Sequence, residues 1–239
     1  VFIIGVFFLL CFVSRASAQV YGTLSAGYSL GFPSVFLGNE TDNANAGVYD
    51  ALAKGVNLNA GVGYTFTPTV GVELLFSYLA GAKTSEFGYA AATYSLSMPV
   101  LMPRAVFSIP LSSLNLYTKI GPYLALPSLK ERLQTTSHVL LTDIHGNNLD
   151  EYISFYKGGV ALGYCSSVGM SLVEGTTTIF VEASFISAGW APDRQETDAG
   201  ELITNYRERF EAGDQFTTRL QPRFNLGSIG LQAGIQLHF

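Results

Sequence analysis

Charged side chains are scarce in this sequence, and their scarcity excludes several classes of protein. Asp, Glu, Lys and Arg make up 13% of the 239 residues, against a usual share of about 25%. The 13 basic residues are outnumbered by 18 acidic ones, so the chain lacks the basic stripe that a nucleic-acid-binding protein needs. So little charge is also unusual for a protein whose whole surface meets water.

Long apolar runs are missing after residue 13, which excludes membrane crossing by helices of about 18 or more apolar residues. Hydrophobic residues nevertheless make up 48% of the chain. Apolar residues spread over alternate strand positions are typical of a membrane β-barrel. Cysteine is also rare: the sequence contains two, Cys11 and Cys165. Once an N-terminal signal is removed, Cys165 has no partner for an intramolecular disulfide.

The first 18 residues have the pattern of a signal peptide. Val1 to Val13 form an unbroken apolar run, and Ala16-Ser17-Ala18 then supply an A-x-A cleavage site before Gln19. The run is too short for a membrane anchor. We therefore expect a signal peptide at 1–18, with Ala16 and Ala18 as the small residues of its single cleavage site. The basic start of this signal peptide is expected to precede the sequence given. Residues 19–239 are expected to form one outer-membrane β-barrel domain.

Alternation of apolar with small or polar residues predicts eight strands. The clearest is the last, in which Leu231, Ile235 and Leu237 alternate with glycine, glutamine and histidine up to Phe239. The eight predicted strands lie at 20–30, 55–66, 70–79, 94–109, 114–126, 155–166, 177–188 and 229–239. Pro99 and Pro103 interrupt the fourth, which predicts an edge-like or bulged strand that could change its facing.

The predicted connections alternate between short and long. Short turns are expected at 67–69, 110–113 and 167–176, and longer polar loops at 31–54, 81–93, 127–153 and 189–226. This is the plan of an outer-membrane barrel. A ten-stranded count stays open, because 137–144 or 215–224 could add a hairpin arm. Residues 201–212 are predicted to form a short amphipathic helix.

The two faces of the predicted strands differ in glycine and charge. Eight glycines share the polar face: Gly61, Gly63, Gly71, Gly121, Gly159, Gly163, Gly230 and Gly234. Glycine makes room inside a narrow barrel, whereas charge on the lipid face costs roughly 2–4 kcal/mol for Lys or Arg. We therefore expect the polar face inside and the apolar face towards lipid. A soluble ligand-carrying barrel would have the opposite orientation.

The expected lumen contains a small cluster of charges. Its members are Glu73, Lys119, Lys157 and Glu182, together with Arg104. Mutual pairing would form a plug, since a lone buried charge is costly. A narrow ion pathway, with these residues as selectivity charges, is the alternative.

Catalytic and metal-binding motifs are not evident in the sequence. The one match to a G-x-S-x-G motif, GYSLG at 27–31, ends a predicted strand with no predicted helix after it, which disfavours an outer-membrane lipid-modifying enzyme. His138, Asp143 and His145 lack the spacing of a known metal site and are expected to be solvated loop residues. We predict neither enzymatic activity, nor a metal, nor a cofactor.

Two segments carry a resemblance to a known family. GVGYTFTPTVGVELLFSYL (61–79) and the ending GSIGLQAGIQLHF (227–239) resemble small outer-membrane proteins of the OmpA/OmpX type, often called porin-family barrels. The resemblance implies a closed, antiparallel, up-and-down transmembrane barrel in the bacterial outer membrane. It also implies that Phe239, with Leu231, Ile235 and Leu237, is the signal recognised by the barrel-assembly machinery.

The expected function is structural or surface-interacting. The partners would be the lipid bilayer, the assembly machinery and an extracellular ligand of the long loops, without nucleic acid. A narrow, porin-like channel for small solutes is the alternative.

Overall fold

The computed structural model describes backbone and side chains at residues 19–32, 51–83, 93–134, 151–197 and 223–239. It also gives the backbone of short strand segments at 35–40, 43–50, 84–87, 91–92, 141–142, 148–149 and 202–205. The predicted signal peptide and its cleavage residues Ala16 and Ala18 lie outside these ranges. Among the described residues, no helix is long and apolar enough to cross a membrane.

Strands make up nearly all of the described chain. In order they are β1 (Gln19–Gly31), β2 (Val35–Glu40), β3 (Asn43–Asp50), β4 (Gly55–Thr67), β5 (Val70–Gly81), β6 (Thr84–Phe87), β7 (Ala91–Leu111), β8 (Leu114–Ala125), β9 (Ser128–Gln134), β10 (Leu141–Thr142), β11 (Asn148–Leu149), β12 (Glu151–Lys157), β13 (Ala161–Glu174), β14 (Thr177–Trp190), β15 (Arg194–Thr197), β16 (Leu202–Asn205), β17 (Phe224–Asn225) and β18 (Ser228–His238).

Eight of these strands close into a barrel. The ring runs β1, β4, β5, β7, β8, β13, β14 and β18, and each strand is antiparallel to the next. The last strand then pairs with the first, from Tyr21 opposite His238 to Gly31 opposite Ser228. The eight-stranded prediction is confirmed. The ten-stranded alternative is wrong, because this pairing closes the ring without a further hairpin.

The sheet of the barrel continues beyond the ring on the side of the long loops. Here the start of β7 pairs with β9, β9 with β12, β12 with β15, and β15 with β16. We call these paired segments the extension sheet. Parts of the predicted loops 127–153 and 189–226 are therefore strands.

A tight break separates the extension sheet from the barrel between β12 and β13. Gly158 and Gly159 have φ angles of 77° and 72°, which glycine adopts readily. Trp190 donates its indole N–H to the Gly158 carbonyl at 2.9 Å, and the Gly159 amide donates to the Asp193 carboxylate at 2.7 Å. These bonds hold together the β12–β13 and β14–β15 connections, through which the chain passes between the barrel and the extension sheet.

The strand β7 differs from its prediction. It is neither an edge strand nor one that changes its facing, because it pairs with β5 on one side and with β8 and β9 on the other. The register with β8 is the same before and after Pro103: Leu101 pairs with Leu124 and Ala105 with Ile120. Proline removes an N–H donor, and here that loss is local and does not shift the register.

Two other predictions are wrong in detail. The predicted turn at 167–176 is mostly strand, because β13 runs to Glu174 and the turn itself is made by Gly175 and Thr176. The helix predicted at 201–212 is a strand, β16, over Leu202–Asn205. Residues 206–212 lie outside the described residues.

The orientation of the faces matches the sequence prediction. On the barrel strands, large apolar side chains on the outer face are exposed, such as Leu58 at 59%, Leu162 at 62% and Leu231 at 62%. The charged residues of these eight strands point inward, except Glu174 beside a turn. An apolar outer belt of this kind is typical of a barrel surrounded by lipid hydrocarbon and not by water. The soluble-carrier alternative is therefore wrong.

Candidate functional site

Four charged side chains from four different strands meet in the lumen. Glu73 of β5, Arg104 of β7, Lys119 of β8 and Glu182 of β14 form a closed ring of alternating charge, which we call the ion ring. Arg104 reaches Glu73 through Nη2 and Glu182 through Nη1, the latter at 3.0 Å. Lys119 Nζ lies 3.0 Å from Glu73 Oε2 and 3.1 Å from Glu182 Oε2.

Local strand geometry explains why these side chains converge. Each occupies an inward position of its strand, and Glu73 lies directly opposite Arg104 in the β5–β7 ladder. Neighbouring polar groups add hydrogen bonds to the carboxylates. Tyr21 donates its hydroxyl to Glu73 at 3.2 Å, and Gln232 donates its amide to Glu182 at 2.6 Å.

The ion ring is sealed from solvent and electrically balanced. Its side chains are between 0% and 4% exposed, and its two cations match its two carboxylates. A buried charge without a partner costs several kcal/mol, so this balance is needed for the barrel to fold around the ring. The ammonium of Lys119 also lies 4.9 Å from the centroid of the Tyr117 ring and 5.4 Å from that of Phe180, which adds cation–π attraction.

One predicted member of the cluster lies elsewhere. Lys157 belongs to the extension sheet, where its side chain is 40% exposed and its Nζ lies 3.0 Å from Glu196. The backbone break at Gly158 and Gly159 places it outside the barrel, so its assignment to the lumen is wrong. The hydrogen bond from Lys157 lowers the pKa of Glu196 below its usual value.

Towards the long loops the lumen is lined by both polar and apolar side chains, the polar ones including Ser29, Asn57, Asn59, Ser77 and Ser228. The prediction of a polar lumen missed the apolar ones. We call its buried side chains the apolar layer: Leu75, Leu79, Met98, Val100, Met102 and Tyr123. Leu52, Trp190 and Leu226 pack against the layer from the loop ends. An available signal was the pair Leu75 and Leu79, which stand on the polar face of their strand. A cavity of about 30 Å³ lies between this layer and Arg104.

The other end of the lumen opens into a polar vestibule. This cavity of about 400 Å³ is bordered by Tyr21, Tyr117, Lys119 and His238. The phenol ring of Tyr21 packs so closely against Gly63 that a Cβ at this position would overlap it. Tyr21 and Tyr117 thus fill space that the inward glycines leave.

The residues predicted as the assembly signal lie on the outside of the last strand. The side chains of Leu231, Ile235 and Leu237 are 62%, 40% and 43% exposed, and that of Phe239 is 80% exposed. His138, Asp143 and His145 fall outside the described residues, so their role stays a prediction. Within the described ranges, no group of three His, Cys, Asp or Glu side chains could hold a metal ion.

Comparison with known proteins bears on the fold. No protein-family model matches the chain, and no curated protein sequence does. Among solved structures, a major outer membrane protein from Thermus thermophilus superposes with a TM-score of 0.51 at 13% identity, over 93% of this chain and 100% of that one.

The chain has the fold of a small outer-membrane β-barrel.

Two further structures align over similar lengths. Neisserial surface protein A gives a TM-score of 0.49 at 12% identity, over 93% of this chain and 99% of that one. Ail, the attachment invasion locus protein of Yersinia pestis, gives 0.38 at 11% identity, over 93% and 97%. In outer-membrane barrels the short turns usually face the periplasm and the long connections face outward. This plan predicts a periplasmic vestibule and an extracellular extension sheet.

Proposed function

We propose that this barrel is a non-conducting outer-membrane protein with a structural and surface-interacting role. The observation that carries the proposal is the pair of layers across the lumen. The ion ring occupies the polar part of the lumen, and the apolar layer lies between it and the extracellular side. An eight-stranded barrel is just wide enough for side chains to fill its interior.

Each layer opposes the passage of ions for a different reason. An ion crossing the ring would have to separate buried charge pairs, and breaking such a pair costs about 3–5 kcal/mol. An ion passing the apolar layer would lose part of its hydration, and the polar groups that line the same stretch, such as Ser29, Asn57 and Ser77, are neutral hydroxyls and amides. The cavity of about 30 Å³ beside Arg104 offers room for only about one or two water molecules.

Planar-bilayer recording of the refolded protein tests the closed lumen. We expect no single-channel steps from the wild type. Opening both layers, by Met98→Ser and Met102→Ser together with Glu73→Ala and Arg104→Ala, should produce brief openings. The variant Met98→Ser/Met102→Ser alone should stay silent, because its ion ring is intact. The mirror-image control, Leu101→Ser on the lipid face of the same strand, should stay silent. Stable wild-type steps altered by Glu73→Gln would instead support a narrow channel for small solutes, the alternative function.

The surface role depends on the extension sheet being outside the cell. A cysteine at Thr93, which lies on this sheet, should react with a membrane-impermeant maleimide on intact cells. The native Cys165 is an internal control, because it is 3% exposed inside the barrel and should stay unlabelled. Labelling of Thr93→Cys only after cell lysis would contradict the orientation.

The proposal includes recognition of the last strand by the barrel-assembly machinery. It is supported by the outward, exposed side chains of Leu237 and Phe239 at the end of β18. Deleting Phe239 should reduce the amount of folded protein in the outer membrane. Replacing it by Tyr, which keeps an aromatic terminus, should preserve most of that amount. Equal amounts from the deletion and from the wild type would remove Phe239 from the signal.

A further inference from the structure

The outer face of the extension sheet carries a concentration of positive charge. Four cations point outward from three neighbouring strands: Lys130, Arg132, Lys157 and Arg194. The side chains of Arg132, Lys157 and Arg194 are 45%, 40% and 52% exposed. We call these four residues the basic face. It is unusual in a chain whose overall net charge is −5.

The basic face lies on the same side of the strands as the lipid-facing belt. The long strand β7 shows this, because its odd-numbered residues face outward from Phe107 up to Thr93. Thr93 pairs directly with Arg132, and Ser95 pairs with Lys130. Paired residues share a face in an antiparallel sheet, so the cations stand directly above the membrane-facing wall.

The height of the basic face matches the polar layer of the bilayer. The apolar belt ends at Leu126 and Val160, which are 60% and 53% exposed. On the continuous strand β7, Pro99 accepts a hydrogen bond from Leu126, and Ser95, the partner of Lys130, is four residues further along. This corresponds to roughly 13 Å along a strand and roughly 10 Å of height for a barrel strand tilted by about 40°. The headgroup region extends roughly 5–7 Å beyond the hydrocarbon on each side. Flexible cationic side chains bridge the remaining distance.

Among the residues that the structure describes, carboxylates neutralise only half of these cations. Glu151 pairs with Arg132, and Glu196 pairs with both Lys157 and Arg194. The four cations and two carboxylates described on this face sum to a charge of +2. Within the described ranges, Lys130 forms no salt bridge.

An aromatic ring draws two of these cations together. Phe155 lies between β9 and β15 in the sheet, opposite Lys130 on one side and Glu196 on the other. The ammonium groups of Lys130 and Lys157 lie 5.6 Å and 5.1 Å from its ring centroid. Two like charges gathered at one ring repel each other, and an anion between them would relieve that repulsion.

We propose that the basic face binds the phosphate groups of phosphorylated lipids in the outer leaflet. The exposed ammonium and guanidinium groups are phosphate donors, and the apolar belt below them would hold the acyl chains. The site rests on the transmembrane fold and not on whether the lumen conducts. It would anchor the extension sheet to the surface of the membrane.

Native mass spectrometry of the protein in a neutral detergent provides the test. The probes are bis-phosphorylated lipid A and the same glycolipid without its phosphates. We expect lipid A to bind more tightly than the dephosphorylated form. The variant Lys130→Gln/Lys157→Gln should weaken lipid A binding by roughly 25-fold, about fivefold for each cation removed near a membrane surface.

A charge-matched control is available at the same rim. Lys54 and Lys83 lie near each other beside β4 and β5, where the Ala82 amide bonds to the Lys54 carbonyl. The variant Lys54→Gln/Lys83→Gln should bind lipid A as the wild type does. Equal losses in both double variants, or equal binding of the two glycolipids by the wild type, would overturn the proposal.

A soluble polyanion is the competing occupant. If Lys130→Gln/Lys157→Gln loses binding of heparin but keeps binding of lipid A, the face recognises a soluble partner and the lipid assignment is wrong. Folding of each variant is checked by its heat-dependent electrophoretic mobility. If the double variant misfolds, Lys130→Gln alone serves, with an expected loss of roughly fivefold.

Discussion

Removing the guanidinium of Arg104 should destabilise the barrel strongly. Arg104→Met keeps most of the side-chain length but deletes two of the four contacts in the ion ring. Glu73 and Glu182 would then share Lys119, and the balanced ring would acquire a net charge of −1 in a site that is almost fully buried. Removing one partner of a buried ion pair costs about 3–5 kcal/mol, which sets the expected loss in free energy of unfolding.

A second variant separates the charge effect from the loss of packing. Arg104→Met/Glu73→Gln leaves one cation and one carboxylate, so the lumen is again neutral. We expect it to recover more than half of the stability that Arg104→Met loses. The exposed pair of Arg132 and Glu151 provides a surface control, because Arg132→Met should change stability little.

Urea unfolding in lipid vesicles measures these differences. Trp190 is the chain's one tryptophan and is 2% exposed at the end of the barrel next to the extension sheet, so its fluorescence reports on unfolding. The reasoning would be refuted if Arg104→Met lost less than about 1 kcal/mol, or if the neutral double variant were no more stable than the single one.

Three other predictions follow from the outer belt, the lumen packing and the extension sheet. Val62→Lys, on the lipid face near the middle of β4, should cost roughly 2–4 kcal/mol in vesicle unfolding, whereas Val62→Thr should cost much less; equal costs would contradict lipid exposure. Gly63→Val should impair folding, because its Cβ would overlap the phenol ring of Tyr21; Tyr21→Ala in the same chain should restore folding, measured by electrophoretic mobility, and failure of that rescue would point to backbone effects. The hydrogen bond from Lys157 lowers the pKa of Glu196, so the stabilisation from this pair is complete above the usual glutamate pKa and is lost as the pH falls through the lowered value. NMR titration of the Glu196 carboxyl should give a midpoint below 4.5, and Lys157→Gln should raise that midpoint. An unchanged midpoint in Lys157→Gln would exclude this cause.

Much of the fold could be predicted because its signal is local. The period of two along each strand follows from the pleat, and it located seven of the barrel strands and the first part of the eighth, β13, together with their two faces. The same rule placed Glu73, Arg104, Lys119 and Glu182 inside the barrel. It could not say which of them touch, because strand stagger fixes heights in the lumen.

The errors came from features that alternation does not encode. Lys157 continues the polar face of its predicted strand, but two glycines with positive φ end that strand before the barrel begins. Pro99 and Pro103 suggested a break in β7, yet pairing on both sides holds the strand in register. These outcomes depend on neighbours that are distant in sequence.

The sequence by itself determined that this chain is a barrel with an apolar outer face, because the alternation of residue types along each strand shows which side chains point outward. Only the tertiary structure decided how the interior is divided into an ion ring and an apolar layer. Glu182 and Arg104 are 78 positions apart and yet hydrogen-bonded at 3.0 Å. Such a contact arises from the closure and stagger of the whole barrel, which no single strand specifies.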